Sequence, residues 1–204
     1  MKTCFIKLLA AAGLAAAVSY AGPINFGFET GTFAGWTIVA PGGVDTPFVT
    51  SLFSGHIAPL GTEFAVLTAG RGQDIPPTAS QTFTLNAGDT LSGWAGFKAN
   101  DYKPYDDYAR VIINAGGNNV LIWQQDVFSV HSYGDSGWQA WSYQAATTGV
   151  FKITYEVANH LDNLNNSQAY FDSAFVARIP DSTSIVALVG LGLAALIGLR
   201  RRWT

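Results

Sequence analysis

The residues with the most chemistry per position lie between Asp101 and Tyr108, in the run Asp101-Tyr102-Lys103-Pro104-Tyr105-Asp106-Asp107-Tyr108. Three aspartates fall within seven positions of it. Carboxylate oxygens so closely spaced can hold a hard cation, and the tyrosines can flank a sugar or another protein. The plainer reading is a polar loop between two strands whose path Pro104 sets. The ligand spacing of an EF-hand is absent. Asp106, Asp107 and Glu156 are of the residue type that does paired-carboxylate glycosidic chemistry, but no spacing in the sequence supports that role.

Gly134-Asp135-Ser136-Gly137 resembles the nucleophile motif of chymotrypsin-like proteases. That chemistry needs a histidine base and an oxyanion hole. His56, His131 and His160 are the histidines, and none stands in a recognisable base motif, so a turn between Tyr133 and Trp138 accounts for these residues better. Of the 6 tryptophans, Trp94, Trp123, Trp138 and Trp141 are candidates for an aromatic sugar platform, although tryptophans in sandwiches mostly fill the core. Trp36 reads as core. Asn165-Asn166-Ser167 matches a glycosylation sequon within a solvated loop. No phosphate-cradling glycine loop, HExxH or histidine–cysteine cluster is present.

Strands must position these groups. Phe151, Ile153, Tyr155 and Val157 alternate with Lys152, Thr154 and Glu156, the period of a half-buried strand. Ala109, Val111 and Ile113 share a face. Phe83 and Leu85 alternate with Thr82, Thr84 and Asn86, and Phe171, Phe175 and Ala177 read as one face. Further strands are predicted at 36–40, 48–53, 64–68, 91–98, 120–124 and 138–144. Turn signals separate them at Pro41-Gly42-Gly43, Asn86-Ala87-Gly88-Asp89, Gly116-Gly117-Asn118-Asn119 and Thr148-Gly149. No stretch of the body has a helical period. Many short strands spaced by turns predict an all-β body, a sandwich or jelly roll.

The two ends read as transport devices. Met1 to Lys7 is basic, Leu8 to Val18 is apolar, and Ser19-Tyr20-Ala21 offers small residues at −3 and −1. This predicts a secretory signal peptide over 1–21, cut after Ala21, and hence export by Sec. Cys4 is the only cysteine and would leave with it, so the mature chain can form neither a disulfide nor a thiolate metal site. At the other end, residues 185–199 are uncharged and apolar. Fifteen residues are slightly short of the ~17–25 of a spanning helix. Ser184 and Thr183 can extend the run, and Arg200, Arg201 and Arg202 form a cytoplasmic stop.

Between the ends, residues 22–178 carry 6 Lys and Arg against 13 Asp and Glu, a net charge of −7. That is one domain by length. Its acidity argues against nucleic acid and against adsorption to anionic lipid, and it is compatible with cations.

Ile179-Pro180-Asp181-Ser182-Thr183-Ser184, the apolar helix and the arginines together resemble the PEP-CTERM sorting signal of Gram-negative bacteria. The polar motif looks most like the Val-Pro-Asp-Ser-Gly variant, with Ile179 for valine and Thr183 for glycine. The resemblance covers roughly 179–202. It implies that Pro180, Asp181 and Ser182 form the processing motif for an exosortase-type membrane enzyme. The chain would then be anchored transiently in the inner membrane before reaching the cell surface or extracellular matrix.

A second resemblance covers the start and end of the body. Asn25-Phe26-Gly27-Phe28-Glu29-Thr30-Gly31 leads into Phe33-Ala34-Gly35-Trp36, and Ala169-Tyr170-Phe171-Asp172-Ser173 comes near the end. These resemble the opening and closing strands of galactose-binding-like jelly rolls, which include many carbohydrate-binding modules. The resemblance implies that first and last strands meet, and that a structural calcium bridges them through Glu29 and Asp172.

The resulting expectation is an exported, non-enzymatic surface or matrix protein sorted through its tail. The alternative is a carbohydrate-binding module for extracellular polysaccharide. A polysaccharide-active enzyme is the third reading.

Overall fold

The computed structural model describes residues 22–41, 46–70 and 72–177. Ala21, the processing residues Pro180, Asp181 and Ser182, the apolar stretch 185–199 and Arg200, Arg201 and Arg202 lie outside the described residues. Among the described residues no helix is long and apolar enough to cross a membrane.

Ten strands form two antiparallel sheets. They are β1 (Thr37–Val39), β2 (Phe48–Thr50), β3 (Phe64–Thr68), β4 (Thr78–Leu85), β5 (Thr90–Lys98), β6 (Tyr108–Ala115), β7 (Asn118–Asp126), β8 (Gln139–Gln144), β9 (Gly149–Ala158) and β10 (Gln168–Ala177). One sheet runs β1-β4-β9-β6-β7 and the other β2-β3-β10-β5-β8. Each predicted strand is present. One turn of helix, α1 (Val127–Val130), was not legible in the pattern. It is too short to show a period, and Asp126 and Ser129 cap each other across it.

Alternation builds the core between the sheets. Phe151, Ile153, Tyr155 and Val157 of β9 meet Ala65, Leu67, Ala95, Phe97, Ala169 and Phe171 of the other sheet. Aromatic rings tie the layers together. Phe28 stacks on Trp36 at 5.0 Å, Trp36 on Tyr155 at 5.2 Å, and Tyr155 on Phe171 at 4.3 Å. Each such pair adds roughly 0.5–1.5 kcal/mol beyond its buried area.

Two sequence expectations are corrected. β1 pairs with β4 and β10 with β3 and β5, so the first and last strands lie in different sheets. The face read through Phe171, Phe175 and Ala177 is interrupted by a register shift between Asp172 and Phe175. An extra residue there breaks the alternation.

The opening segment is fastened by two amides. Asn25 takes a positive φ of 49°. Its Nδ2 donates to Thr32 O and Ala34 O, and its Oδ1 accepts from Thr30 N. Gln81 of β4, buried at the sheet, accepts from Ile24 N and donates to Ile24 O and Gly35 O. These bonds seat Phe26, Phe28 and Trp36 in the core.

Candidate functional site

β6, β7 and β9 lie side by side, and their outward faces carry the site. Cross-strand register puts Arg110 opposite Gln124 on one side and Glu156 on the other. Arg110 Nε donates to Gln124 Oε1 at 2.9 Å, and its Nη1 lies 3.5 Å from Glu156 Oε1. The guanidinium also sits 3.8 Å from the centre of the Tyr108 ring. Neighbours on three sides thus hold one planar cation, which has five N–H donors to distribute.

Around it is an open cavity of about 280 Å³, lined by Asp74, Asp106, Tyr108, Arg110, Gln124, Asp126 and His160. His160 Nδ1 lies 3.0 Å from Asp74 Oδ1, and Asp106 Oδ1 accepts from Phe128 N. Burial pushes the Asp106 carboxyl above the usual aspartate range, with the Asp126 charge adding to it. Burial also raises Glu156, although Arg110 opposes it. Tyr108 is pushed up to about 12 by burial, so its hydroxyl stays protonated. The lining offers carboxylate and amide acceptors, a tyrosine hydroxyl and guanidinium donors. Such a set can hold paired hydroxyl groups of a polyol.

The Asp101–Tyr108 run divides between two environments. Asp106 and Tyr108 line the cavity, whereas Asp101 and Asp107 are fully buried. Tyr102 and Tyr133 are 40% and 60% exposed and lie together on the loops beside it, with Tyr105 against Tyr102. The tryptophan platform does not assemble. Trp123 and Trp141 are core residues, and Trp138 packs edge-on to Phe64 and Tyr170 while its Nε1 donates to Ile57 O. Trp94 is half-buried on β5. The exposed aromatics are instead Tyr102, Tyr133, Phe48 and Phe128, of which the sequence had offered Tyr102 as one of the tyrosines that can flank a sugar or another protein.

Gly134-Asp135-Ser136-Gly137 is not itself a turn: the turn lies at Ser132 and Tyr133, and the four residues then run beside the end of β5, where Asp135 bridges to Lys98. Asp135 does meet a histidine, His56 Nε2 at 3.0 Å, and accepts from Tyr170 Oη at 2.6 Å. Ser136 Oγ, however, accepts from Phe97 N and donates to Gly137 O, so it is tied to main chain. Of the carboxylates considered for glycosidic chemistry, Asp106 lines the cavity, Glu156 reaches its edge through Arg110, and Asp107 points into the interior.

Glu29 and Asp172 do not touch each other through strand pairing, but both reach one short segment. Glu29 accepts from Thr62 N, Thr62 Oγ1 and Glu63 N. Asp172, fully buried, accepts from Leu60 N. Among the described residues no three His, Cys, Asp or Glu side chains group together as metal ligands. The two carboxylates are hard oxygen donors suited to calcium, and the rest of a coordination shell there would have to be main-chain oxygen or water.

No protein-family model matches the chain, and no curated protein matches it. Solved structures do. TmCBM61, determined in complex with β-1,4-galactotriose, is 20% identical with a TM-score of 0.50, over 76% of this chain and 96% of that one. A carbohydrate-binding module of the β-sandwich superfamily is 14% identical with a TM-score of 0.48, over 75% and 61%. A cleaved adhesin domain of Lys-gingipain from Porphyromonas gingivalis is 13% identical with a TM-score of 0.45, over 75% and 96%. The first of these matches establishes the class of fold: an all-β sandwich of two antiparallel sheets, like the jelly rolls of carbohydrate-binding modules.

Proposed function

We propose that this chain is an exported, non-catalytic polysaccharide-binding protein that holds a neutral glycan on the outer face of the β1-β4-β9-β6-β7 sheet. The observation that carries this reading is the fixed guanidinium of Arg110 in its acidic, hydroxyl-matching cavity. A planar donor locked between Gln124, Glu156 and Tyr108 loses little freedom on binding, which favours affinity. Three aspartates in the lining would repel an anionic uronate, so the glycan is neutral. The exposed Tyr102 and Tyr133, with the half-buried Tyr105 against Tyr102, extend the surface for further sugar rings.

The tail delivers the domain. In this reading Pro180-Asp181-Ser182 is processed by an exosortase-type enzyme, and the body reaches the cell surface or matrix, where its ligand lies. Calcium held by Glu29 and Asp172 would clamp the opening loop to β10 by supplying positive charge between the two carboxylates.

The test is affinity electrophoresis of the protein in gels containing β-1,4-galactan, xylan, mixed-linkage β-glucan or polygalacturonate. β-1,4-Galactan is the first probe because TmCBM61 was determined with its trisaccharide. Retardation by a neutral glycan that Arg110→Ala abolishes supports the reading. Migration unchanged in every neutral glycan, or retardation by polygalacturonate alone, overturns it.

A further inference from the structure

At one end of the sandwich the interior changes from carbon to oxygen. On β6 the inward face runs back from Ile113 through Val111 and Ala109, and the next position on that face is Asp107. On β9 it runs from Ile153 through Tyr155 and Val157 to Asn159. On β10 it runs back from Phe171 through Ala169 to Ser167, and Asp101 closes the layer just beyond β5. Asp101, Asp107, Asn159 and Ser167 are all 0% exposed.

Their hydrogen bonds interlock. Asp107 Oδ2 accepts from Ser167 Oγ at 2.6 Å and its Oδ1 from His160 N at 3.1 Å. Ser167 Oγ accepts from Asn100 N at 3.1 Å. Asn159 Nδ2 donates to Gly70 O and to Asn166 Oδ1, each at 2.7 Å. Asp101 Oδ1 accepts from Tyr102 N at 2.7 Å and from Asn165 Nδ2 at 3.5 Å. Two buried oxygens are left with no donor, Asp101 Oδ2 and Asn159 Oδ1. Among the described residues, the salt bridges include none to Asp101 or Asp107. Buried carboxylates ordinarily have a cation, either a side chain or a metal.

We propose that Asp101, Asp107 and Asn159 form a structural site for a divalent calcium ion, distinct from the Glu29–Asp172 loop. All the donors are hard oxygen, which excludes a thiolate or imidazole metal. Full burial favours calcium over magnesium, which keeps several of its waters. The site sits directly behind the cavity, because Asp106 and His160 are the chain neighbours of Asp107 and Asn159. An ion there would set the positions of both.

The experiment uses the full chain in mild detergent, stripped with EDTA and then given calcium or magnesium. Bound calcium is counted after gel filtration, and unfolding is followed by near-ultraviolet circular dichroism. At a hundredfold excess over Kd, calcium is expected to raise Tm by roughly 5–10 °C, with magnesium giving a smaller rise. Asp101→Asn should bind one calcium fewer than the parent, and Glu29→Gln should keep that ion. An unaltered calcium count and Tm response in Asp101→Asn overturns the proposal, as does a parent that binds no calcium. Asn159→Asp covers the case in which Asp101→Asn does not fold. It adds a carboxylate to the shell, so it should bind calcium more tightly than the parent and melt lower in EDTA. Equal or weaker calcium affinity in that variant also overturns the site. Sugar binding is not read in any of these measurements, so the glycan reading can fail separately.

Discussion

Asp106 and Asp107 are consecutive in the chain and face opposite ways. Asp106 lines the outer cavity and accepts from Phe128 N, while Asp107 is sealed in the interior and bonded to Ser167 Oγ. Entry into β6 sets this division, since successive side chains of an extended backbone leave opposite faces. One dipeptide therefore contributes to both the outer cavity and the oxygen layer behind it.

The cavity predicts a graded loss of glycan binding. Arg110→Ala removes the positioned donor and should weaken binding by about 10–100-fold, since hydrogen bonds to charged groups contribute roughly 1.5–3 kcal/mol. Arg110→Lys keeps the charge but cannot bond Gln124 and Glu156 from one plane, and should fall between. Titration calorimetry with the retarding glycan checks this, and circular dichroism should show an intact fold, because Arg110 is on the surface.

The interior predicts one stabilising substitution. Tyr155 is fully buried in the aromatic stack, and its hydroxyl has no hydrogen-bond partner. Tyr155→Phe keeps the ring and removes an unsatisfied polar atom, so stability should rise by about 1 kcal/mol. Trp36→Ala empties the same stack and should cost about 3–5 kcal/mol. Urea unfolding of the two variants should move the midpoint in opposite directions.

Acid sensitivity should trace in part to Asp135. Burial works against its charge, yet hydrogen bonds from Tyr170, Gly137 and His56 hold its carboxyl below the usual 3.8. The folded pKa is thus depressed, so this carboxylate's contribution is present above pH 3.8 and is lost as pH falls through the lower folded value. Asp135→Asn should lower stability at neutral pH and flatten the decline below pH 4. Unfolding midpoints between about pH 2 and 7 measure both effects.

The loop clasped by Glu29 should be intolerant at Gly61. Gly61 has φ +73°, and a Cβ there would run into the Glu29 carboxylate. Gly61→Ala is expected to destabilise by roughly 1–3 kcal/mol. It should also diminish any calcium-dependent rise in Tm that Glu29→Gln diminishes. A Tm equal to the parent's in both EDTA and calcium would count against the clasp.

The proposed export predicts a mass signature. Protein recovered from the cell surface should begin at Gly22 and end near residues 180–183, with any adduct visible on the new terminus. Intact-mass spectrometry reads both ends at once. A full-length species in the cell interior would contradict the proposed sorting.

The strands were legible in the residues because burial on one face imposes a two-residue period, as in β9 and β6. The turns were legible because glycine and asparagine mark backbone bends. Period alone also carries Asp107 and Asn159 onto inward faces, but it cannot say that β6 lies beside β9, and adjacency makes the oxygen layer. Sheet order decided the rest. Arg110 and Gln124 meet across the β6–β7 hairpin, but Glu156 joins them only because β6 runs between β7 and β9. Trp123 and Trp138 have the same side-chain chemistry, and only packing sent one to the main core and the other against Tyr170. Strand patterning is local and is written in neighbouring residues. A binding surface depends on long-range pairing, which no short stretch of sequence contains.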